Sequence, residues 1–291
     1  MRKTLYVVLG PTAVGKTQLS LSLAERLGSP IISADSRQMF RDLPIGTAAP
    51  TAAEQQRVPH HFVGQLALDA YYSAAQYEQE ALALIDHLFA THSALVVSGG
   101  SMLYIDALCH GIDALPTISA QVRAEVLQRY EEKGLDHLLY ELLLHDPEYY
   151  EVVDRRNAKR VIHALEIIYE SGTTYTSLRL GERKQRPFDI VKIGLQRPRE
   201  ELFDRINRRT TQMVEDGFIE EARAVYPFRH LNSLNTVGYK ELFQHFDGHW
   251  PLDMALDRIR KNTRVYAKKQ MTWFAKDSTI RWQHPDEPLQ L

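Results

Sequence analysis

The chain has 291 residues, 44% hydrophobic, 25% charged and 9% aromatic, with a formal net charge of −2. That composition describes a globular protein able to bury one large core or two smaller ones, and it excludes collagen, coiled coil and intrinsic disorder. No run approaches the roughly 20 apolar residues that span a bilayer, the first residues do not read as a signal peptide, and the single Cys109 allows no internal disulfide, so a cytoplasmic protein without a membrane partner is expected.

Thr4 to Leu9 is a continuous apolar, β-rich run, the pattern of a central parallel strand buried on both faces. After a glycine turn, Leu19, Leu21, Leu23, Ala24 and Leu27 recur at roughly helical spacing up to Gly28, and Pro30 to Ala34 reads as a second strand. A helix around Ala74 to Phe89 leads into a third run, Ala94 to Ser98, which ends in Gly99-Gly100. Strands alternating with helices predict an α/β fold with a doubly wound parallel sheet of the P-loop type. From about Ser119 the texture becomes helical, with amphipathic stretches at Val122 to Tyr130, Asp136 to Leu144 and Asn157 to Tyr169. Residues 112–186 are therefore read as a helical insertion, and 1–111 with 187–291 as the α/β core with C-terminal helices. Phe188 to Leu195 restores a strand, and Arg199 to Val225 and Leu252 to Phe274 look like long helices. Charge divides along the chain: residues 1–150 hold 10 Lys+Arg against 17 Asp+Glu, and residues 151–291 hold 25 against 20. The second half is the candidate for a polyanionic partner.

Gly10-Pro11-Thr12-Ala13-Val14-Gly15-Lys16-Thr17 fits G-x-x-x-x-G-K-[ST] between a strand and a helix. Loop N–H groups and the helix N-terminus can wrap a diphosphate or triphosphate, with Lys16 neutralising charge and the Thr17 hydroxyl holding Mg²⁺. The run ending at Ser98 lacks the terminal Asp of a Walker B strand, and no Asn-Lys-x-Asp guanine motif is present. Hydrolytic motors and GTPases therefore rank below small-molecule kinases and transferases with a pyrophosphate leaving group. Asp35, at the end of the second strand, faces the same sheet edge as Lys16 and reads either as a proton acceptor or as a loop Asp that caps the next turn. His60-His61 lacks a third ligand at sensible spacing and reads as a loop or cap, and Cys109 reads as a small core residue.

The phosphate loop, Ser33-Ala34-Asp35-Ser36-Arg37-Gln38, Asp42 to Pro50 and Gly99-Gly100-Ser101-Met102-Leu103-Tyr104 resemble, in order, the motifs of tRNA dimethylallyltransferases (tRNA isopentenyltransferases) of the bacterial type. The resemblance continues through Arg205-Ile206 to Arg209, Gly217-Phe218, Val237-Gly238-Tyr239 and Lys268 to Phe274, so it spans nearly the whole chain. It implies transfer of a dimethylallyl group from dimethylallyl diphosphate to N6 of the adenosine beside the anticodon of tRNA, with release of pyrophosphate. It further implies Asp35 as general base, Lys16, Thr17, Arg209 and Ser101 as catalytic contacts to the diphosphate, and Gly10 to Thr17 as its cradle. Ser101 stands where the family usually has Thr. Segments matching RNA-contacting regions are Asp35 to Gln38 (Asp35, Ser36, Arg37, Gln38), the residues Lys159, Arg160, Val161, Ile162 and His163, and Leu234 to Lys240 with Val237, Gly238, Tyr239 and Lys240. Arg205 shares a helix face with Arg209, whereas Arg208 reads as a solvated charge, and Asn157 as a helix cap. Mg²⁺ is the expected cofactor, the tRNA anticodon stem-loop the expected partner, and nothing demands more than a monomer. An ATP-dependent small-molecule kinase is the alternative, with a non-catalytic RNA-binding adaptor behind it.

Overall fold

Six strands, β1 (Thr4–Leu9), β2 (Ile31–Ala34), β3 (His60–His61), β4 (Ala94–Gly99), β5 (Asp189–Leu195) and β6 (Arg281–Gln283), form one sheet in a computed structural model that describes residues 3–113 and 115–289. Its order is β3-β2-β4-β1-β5-β6 and every pairing is parallel. The helices are α1 (Lys16–Leu27), α2 (Ala52–Arg57), α3 (Ala74–Leu88), α4 (Met102–His110), α5 (Ala120–His145), α6 (Pro147–Val152), α7 (Ala158–Ser171), α8 (Tyr175–Leu178), α9 (Arg199–Glu215), α10 (Phe218–Val225), α11 (Tyr239–Phe246) and α12 (Leu252–Phe274).

β1 is apolar throughout because it is covered on both faces. Leu5, Val7 and Leu9 pack with Tyr77, Ala81 and Ile85 of α3 and with Ile105 and Leu108 of α4. Val8 points the other way, into a cluster with Leu21 and Ala24 of α1, Leu202 and Ile206 of α9, and Ala267 of α12. A period of two with both sets apolar is the signature of a doubly covered strand. Since all six strands run the same way, the turns after β1, β2 and β4 emerge at one sheet edge, where ligands bind in such folds. A third cluster, built on Phe218, Leu234, Tyr239, Leu242 and Ile259, buries Phe40 and Leu43 from the segment after β2.

The chain divides into two compact units, one formed by residues 1–109 and 185–291 and the other by His110–Lys184. The second unit has its own core of Val126, Leu138, Leu142, Val161, Leu165 and Ile168. Asp146, 1% exposed, fastens it: Oδ1 accepts from the Tyr149 N–H (3.0 Å) and the Thr176 hydroxyl (2.8 Å), and Oδ2 from the Thr176 N–H (2.8 Å). Asn157 caps α7, accepting from the Arg160 N–H at 3.3 Å.

The strand order, which the sequence left open, puts β4 between β1 and β2, so the first two strands are not neighbours. Three details differ from the sequence reading. The stretch Arg199 to Val225 is two helices, because Gly217 adopts φ 97, a left-handed conformation that ends the helical path. His60-His61 is a short edge strand on β2, and the His60 Nδ1 lies 2.7 Å from the Val58 carbonyl. The insertion read as 112–186 is offset by two residues at each end: His110 and Gly111 group with the second unit, and Gln185 and Arg186 with the core unit, where the Arg186 guanidinium pairs with buried Glu78 at 2.8 Å and donates to the carbonyls of Ala107 and Leu108 in α4.

Gly99 pairs with Ala34 across β4 and β2, and a Cβ built on it would lie 2.2 Å from the Ala34 carbonyl oxygen. Gly99→Ala is expected to destabilise the protein by roughly 1–3 kcal/mol, the usual range for overpacking, read by denaturant unfolding. Unchanged stability would contradict the register of these strands.

Candidate active site

α1 starts at Lys16 behind Gly15, whose φ is 114 and which supplies no side-chain cap. The first-turn N–H groups of the helix therefore have no intrahelical acceptor and carry the positive end of its dipole. Ala13 is also left-handed, with φ 63, which an L-residue adopts only when its surroundings enforce it. Enforcement comes from three distant side chains. Arg205 Nε donates to the Ala13 carbonyl (2.9 Å), Arg197 Nε donates to the Val14 carbonyl (2.8 Å), and Gln270 Oε1 accepts the Thr12 N–H (2.9 Å). Lys16 Nζ donates to the carbonyls of Gly10 (3.1 Å) and Pro11 (2.8 Å), and Arg209 Nη1 donates to the Thr12 hydroxyl (3.2 Å).

A cavity of about 730 Å³ opens over this loop. Thr12, Ala13, Gly15, Lys16 and Thr17 line it, with Asp35, Ser36, Arg37 and Gln38 from the turn after β2, Arg209 from α9, and Val237, Gly238 and Lys240 at the start of α11. Apolar wall is supplied by Ile206, Met213, Phe218 and Ile259. Asp35 Oδ1 accepts the N–H groups of Arg37 (2.9 Å) and Gln38 (3.4 Å), which closes a tight turn and fixes the carboxylate. Arg37 Nη1 reaches the carbonyls of Asn232 and Ser233, both at 3.2 Å, and Gln38 Nε2 reaches the Ala48 carbonyl at 2.8 Å. Glu221 holds the facing segment through the N–H groups of Ile45 (2.7 Å) and Gly46 (2.8 Å) and the Tyr239 hydroxyl (2.5 Å). Burial lowers the guanidinium of Arg209 below its ordinary value, with Asp35 opposing the fall. Such a partly desolvated cation favours an incoming anion.

Not every residue singled out in the sequence presents its side chain here. Ser101 is buried and spends its hydroxyl on Ser36, accepting the Ser36 N–H (2.8 Å) and donating to its Oγ (3.1 Å). It supports the turn next to Asp35 and does not line the cavity. Val14 and Tyr239 are fully buried in apolar clusters, and Val161 is buried in the core of the second unit, so none of these side chains is offered to a ligand. Lys159, Arg160 and His163 are exposed on α7, with Ile162 half-buried. Arg208 pairs with Asp204 while 72% exposed, the solvated charge that its spacing predicts. On α12, Arg258 and Arg264 lie over the rings of Trp250 and Phe203 and Arg260 pairs with Asp257, while Lys261, Lys268 and Lys269 are exposed.

Sequence reasoning did not find Glu221 or Arg197, and it met Gln270 only as one residue of the stretch Lys268 to Phe274, with no role given. Gln270 carried a signal, a polar residue on the buried stripe Ala267, Gln270, Phe274. Nothing local marks the roles of Glu221 and Arg197 at the site, since their bonds to Ile45 and Val14 reach 176 and 183 residues along the chain. Among the described residues Glu201, His284 and Asp286 bring ligand atoms together, but Arg197 already pairs with both carboxylates. The Thr17 hydroxyl, which lines the cavity at the start of α1, is an oxygen donor of the kind that Mg²⁺ takes.

Comparison with known proteins places this geometry in context. The family model described as IPP transferase matches residues 38–277. The tRNA dimethylallyltransferase 1 of Phocaeicola vulgatus is 58% identical over 291 residues, covering 100% of this chain and 97% of that protein. The tRNA dimethylallyltransferase 1 of Bacteroides thetaiotaomicron is 58% identical over 288 residues, covering 99% and 94%. The crystal structure of the full-length tRNA isopentenylpyrophosphate transferase of Bacillus halodurans aligns with a TM-score of 0.70 at 36% identity, over 97% of this chain and 90% of that one.

Burial lowers the Lys16 ammonium from 10.5 to about 8, with the Asp35 carboxylate opposing and Arg209 adding to the fall. In the unliganded protein Lys16 therefore loses its charge as pH rises from about 7 to about 9, and affinity for inorganic pyrophosphate is expected to fall over that range. Lys16→Arg, whose guanidinium stays charged, should remove that contribution. Calorimetric titrations of both proteins across the range check this, and identical pH dependences would contradict it.

Proposed function

The chain belongs to the IPP transferase family, and from that premise we propose that its phosphate loop holds dimethylallyl diphosphate while Asp35 takes a proton from N6 of the adenosine beside the anticodon of tRNA. It is a prenyltransferase that modifies tRNA, and a kinase acting on a small acceptor is not favoured. The observation that carries the mechanism is that Asp35 shares one cavity with Lys16 and Arg209 and that its charge acts on both.

In the proposed reaction the bond from C1 of the dimethylallyl group to the diphosphate oxygen breaks and a bond from C1 to N6 forms. The N6 proton passes to the Asp35 carboxylate, and pyrophosphate leaves with the bonding electron pair. The adenine amine is a poor nucleophile because its lone pair is delocalised, so a positioned acceptor for its proton lowers the barrier. Lys16, Arg209 and the N–H groups at the start of α1 meet the charge that grows on the leaving diphosphate, which stabilises the transition state more than the ground state. Ile206, Met213, Phe218 and Ile259 supply an apolar wall suited to a five-carbon chain. Mg²⁺, when bound, neutralises diphosphate charge, and the Thr17 hydroxyl is the group that would hold it.

The adenosine must leave its stack to enter the cavity, at a cost of a few kcal/mol that contacts elsewhere on the RNA offset. Arg37, Gln38 and Lys240 at the cavity, and the exposed Lys159 and Arg160 of α7, are proposed to grip the anticodon stem-loop. No described helix is long and apolar enough to cross a membrane. A monomer in the cytoplasm, where tRNA is available, completes the proposal.

Asp35→Asn is expected to lower kcat by about 10²–10⁴, the usual contribution of general acid–base catalysis, while donor and tRNA affinities stay near those of the parent. Arg209→Ala should instead raise the KM for dimethylallyl diphosphate. Steady-state kinetics with each substrate varied separate the two roles. Turnover within a few-fold of the parent for Asp35→Asn would remove it as the base.

A further inference from the structure

α12 places a polar side chain at a core position beside the phosphate loop. Gln270 is 2% exposed and sits in register with buried Ala267 and Phe274. Burying a primary amide is costly unless both of its ends are paired. Oε1 accepts the N–H of Thr12 at 2.9 Å, and Nε2 donates to the carbonyl of Gly100 at 2.8 Å. The amide's orientation is dictated by its partners, since a backbone N–H can only donate and a carbonyl can only accept. A Cβ at Gly100 would lie 2.5 Å from Nε2, so this glycine reserves the space that the amide fills. The next residue, Ser101, grips Ser36 beside Asp35. The path Thr12, Gln270, Gly100, Ser101, Ser36 thus joins the phosphate loop to the turn that carries the carboxylate.

We propose that Gln270 is a positioning residue for the transfer reaction: it ties the phosphate loop to the Gly100 turn, holding the diphosphate cradle in register with the turn of Asp35. It contacts Thr12, whose hydroxyl also takes the bond from Arg209, and acts through that residue. The inference rests on the proposal that the loop holds a diphosphate.

The test uses magnesium pyrophosphate binding by calorimetry together with steady-state kinetics on the full-length enzyme. Gln270→Met keeps the volume and loses both hydrogen bonds, so pyrophosphate affinity and the donor KM are expected to worsen on the order of tenfold, as two net bonds suggest, with the tRNA KM unchanged. Gly100→Ala keeps Gln270 but displaces its amide, so it should act in the same direction and serves if the methionine variant does not fold. In a Gln270→Ala background, Gly100→Ala should cost nothing more for the donor, because no amide is left to displace. Additive penalties, parental pyrophosphate affinity in Gln270→Met, or equal losses for tRNA and donor would each overturn the positioning role. A parent enzyme that binds no pyrophosphate would overturn the diphosphate proposal itself, which is a distinct result.

Discussion

A loop that turns its N–H groups toward an anion turns carbonyls the other way, and those carbonyls need donors. That constraint organises much of this protein. The carbonyls of Ala13 and Val14 are met by Arg205 and Arg197, and the Thr12 N–H is met by Gln270. These partners lie 192, 183 and 258 residues from the loop in sequence. The C-terminal helices are therefore part of the proposed phosphate site, since without α9 and α12 the left-handed Ala13 would lack the bonds that hold it. Arg197 extends the same support outward, pairing with Glu201 in the first turn of α9 and with Asp286 after β6.

The parallel sheet turns this local arrangement into a reaction site. With β4 between β1 and β2, the phosphate loop, the Asp35 turn and the Gly99-Gly100 turn are carried to one edge on three adjacent strands. Close approach there depends on glycine, since a Cβ at Gly99 would strike the Ala34 carbonyl and one at Gly100 would strike Gln270. The opposite wall comes from the helical cluster around Phe218 and Tyr239, where Glu221 fastens the Ile45 to Gly46 segment by its backbone. Positive side chains, the Asp35 carboxylate and an apolar wall thus meet in one cavity, groups suited to the proposed prenyl diphosphate and amine nucleophile.

Much of this was legible in the sequence because it rests on local pattern. The phosphate loop is read from eight consecutive residues, β1 from an unbroken apolar run, and the insertion from amphipathic spacing. Arg209 is reached through the family resemblance, and four-residue spacing puts Arg205 on the same face of α9. What stayed hidden depends on non-local pairing. β4 could not be ordered between β1 and β2 from sequence, because each strand alone reads as equally buried. Glu221 looks like one of several acidic residues in the first turn of α10 until its carboxylate is seen on two N–H groups far upstream. The family resemblance implies Ser101 as a contact to the diphosphate, while in the structure its hydroxyl bonds with Ser36.

The central claim is that one cavity joins a prenyl diphosphate to an adenosine of tRNA. Mass spectrometry of tRNA nucleosides tests it most directly, after purified enzyme and Mg²⁺ are incubated with dimethylallyl diphosphate and unmodified tRNA. The account predicts a gain of one dimethylallyl group on adenosine. Unmodified adenosine, with ATP consumed when small acceptors are supplied in its place, would contradict it.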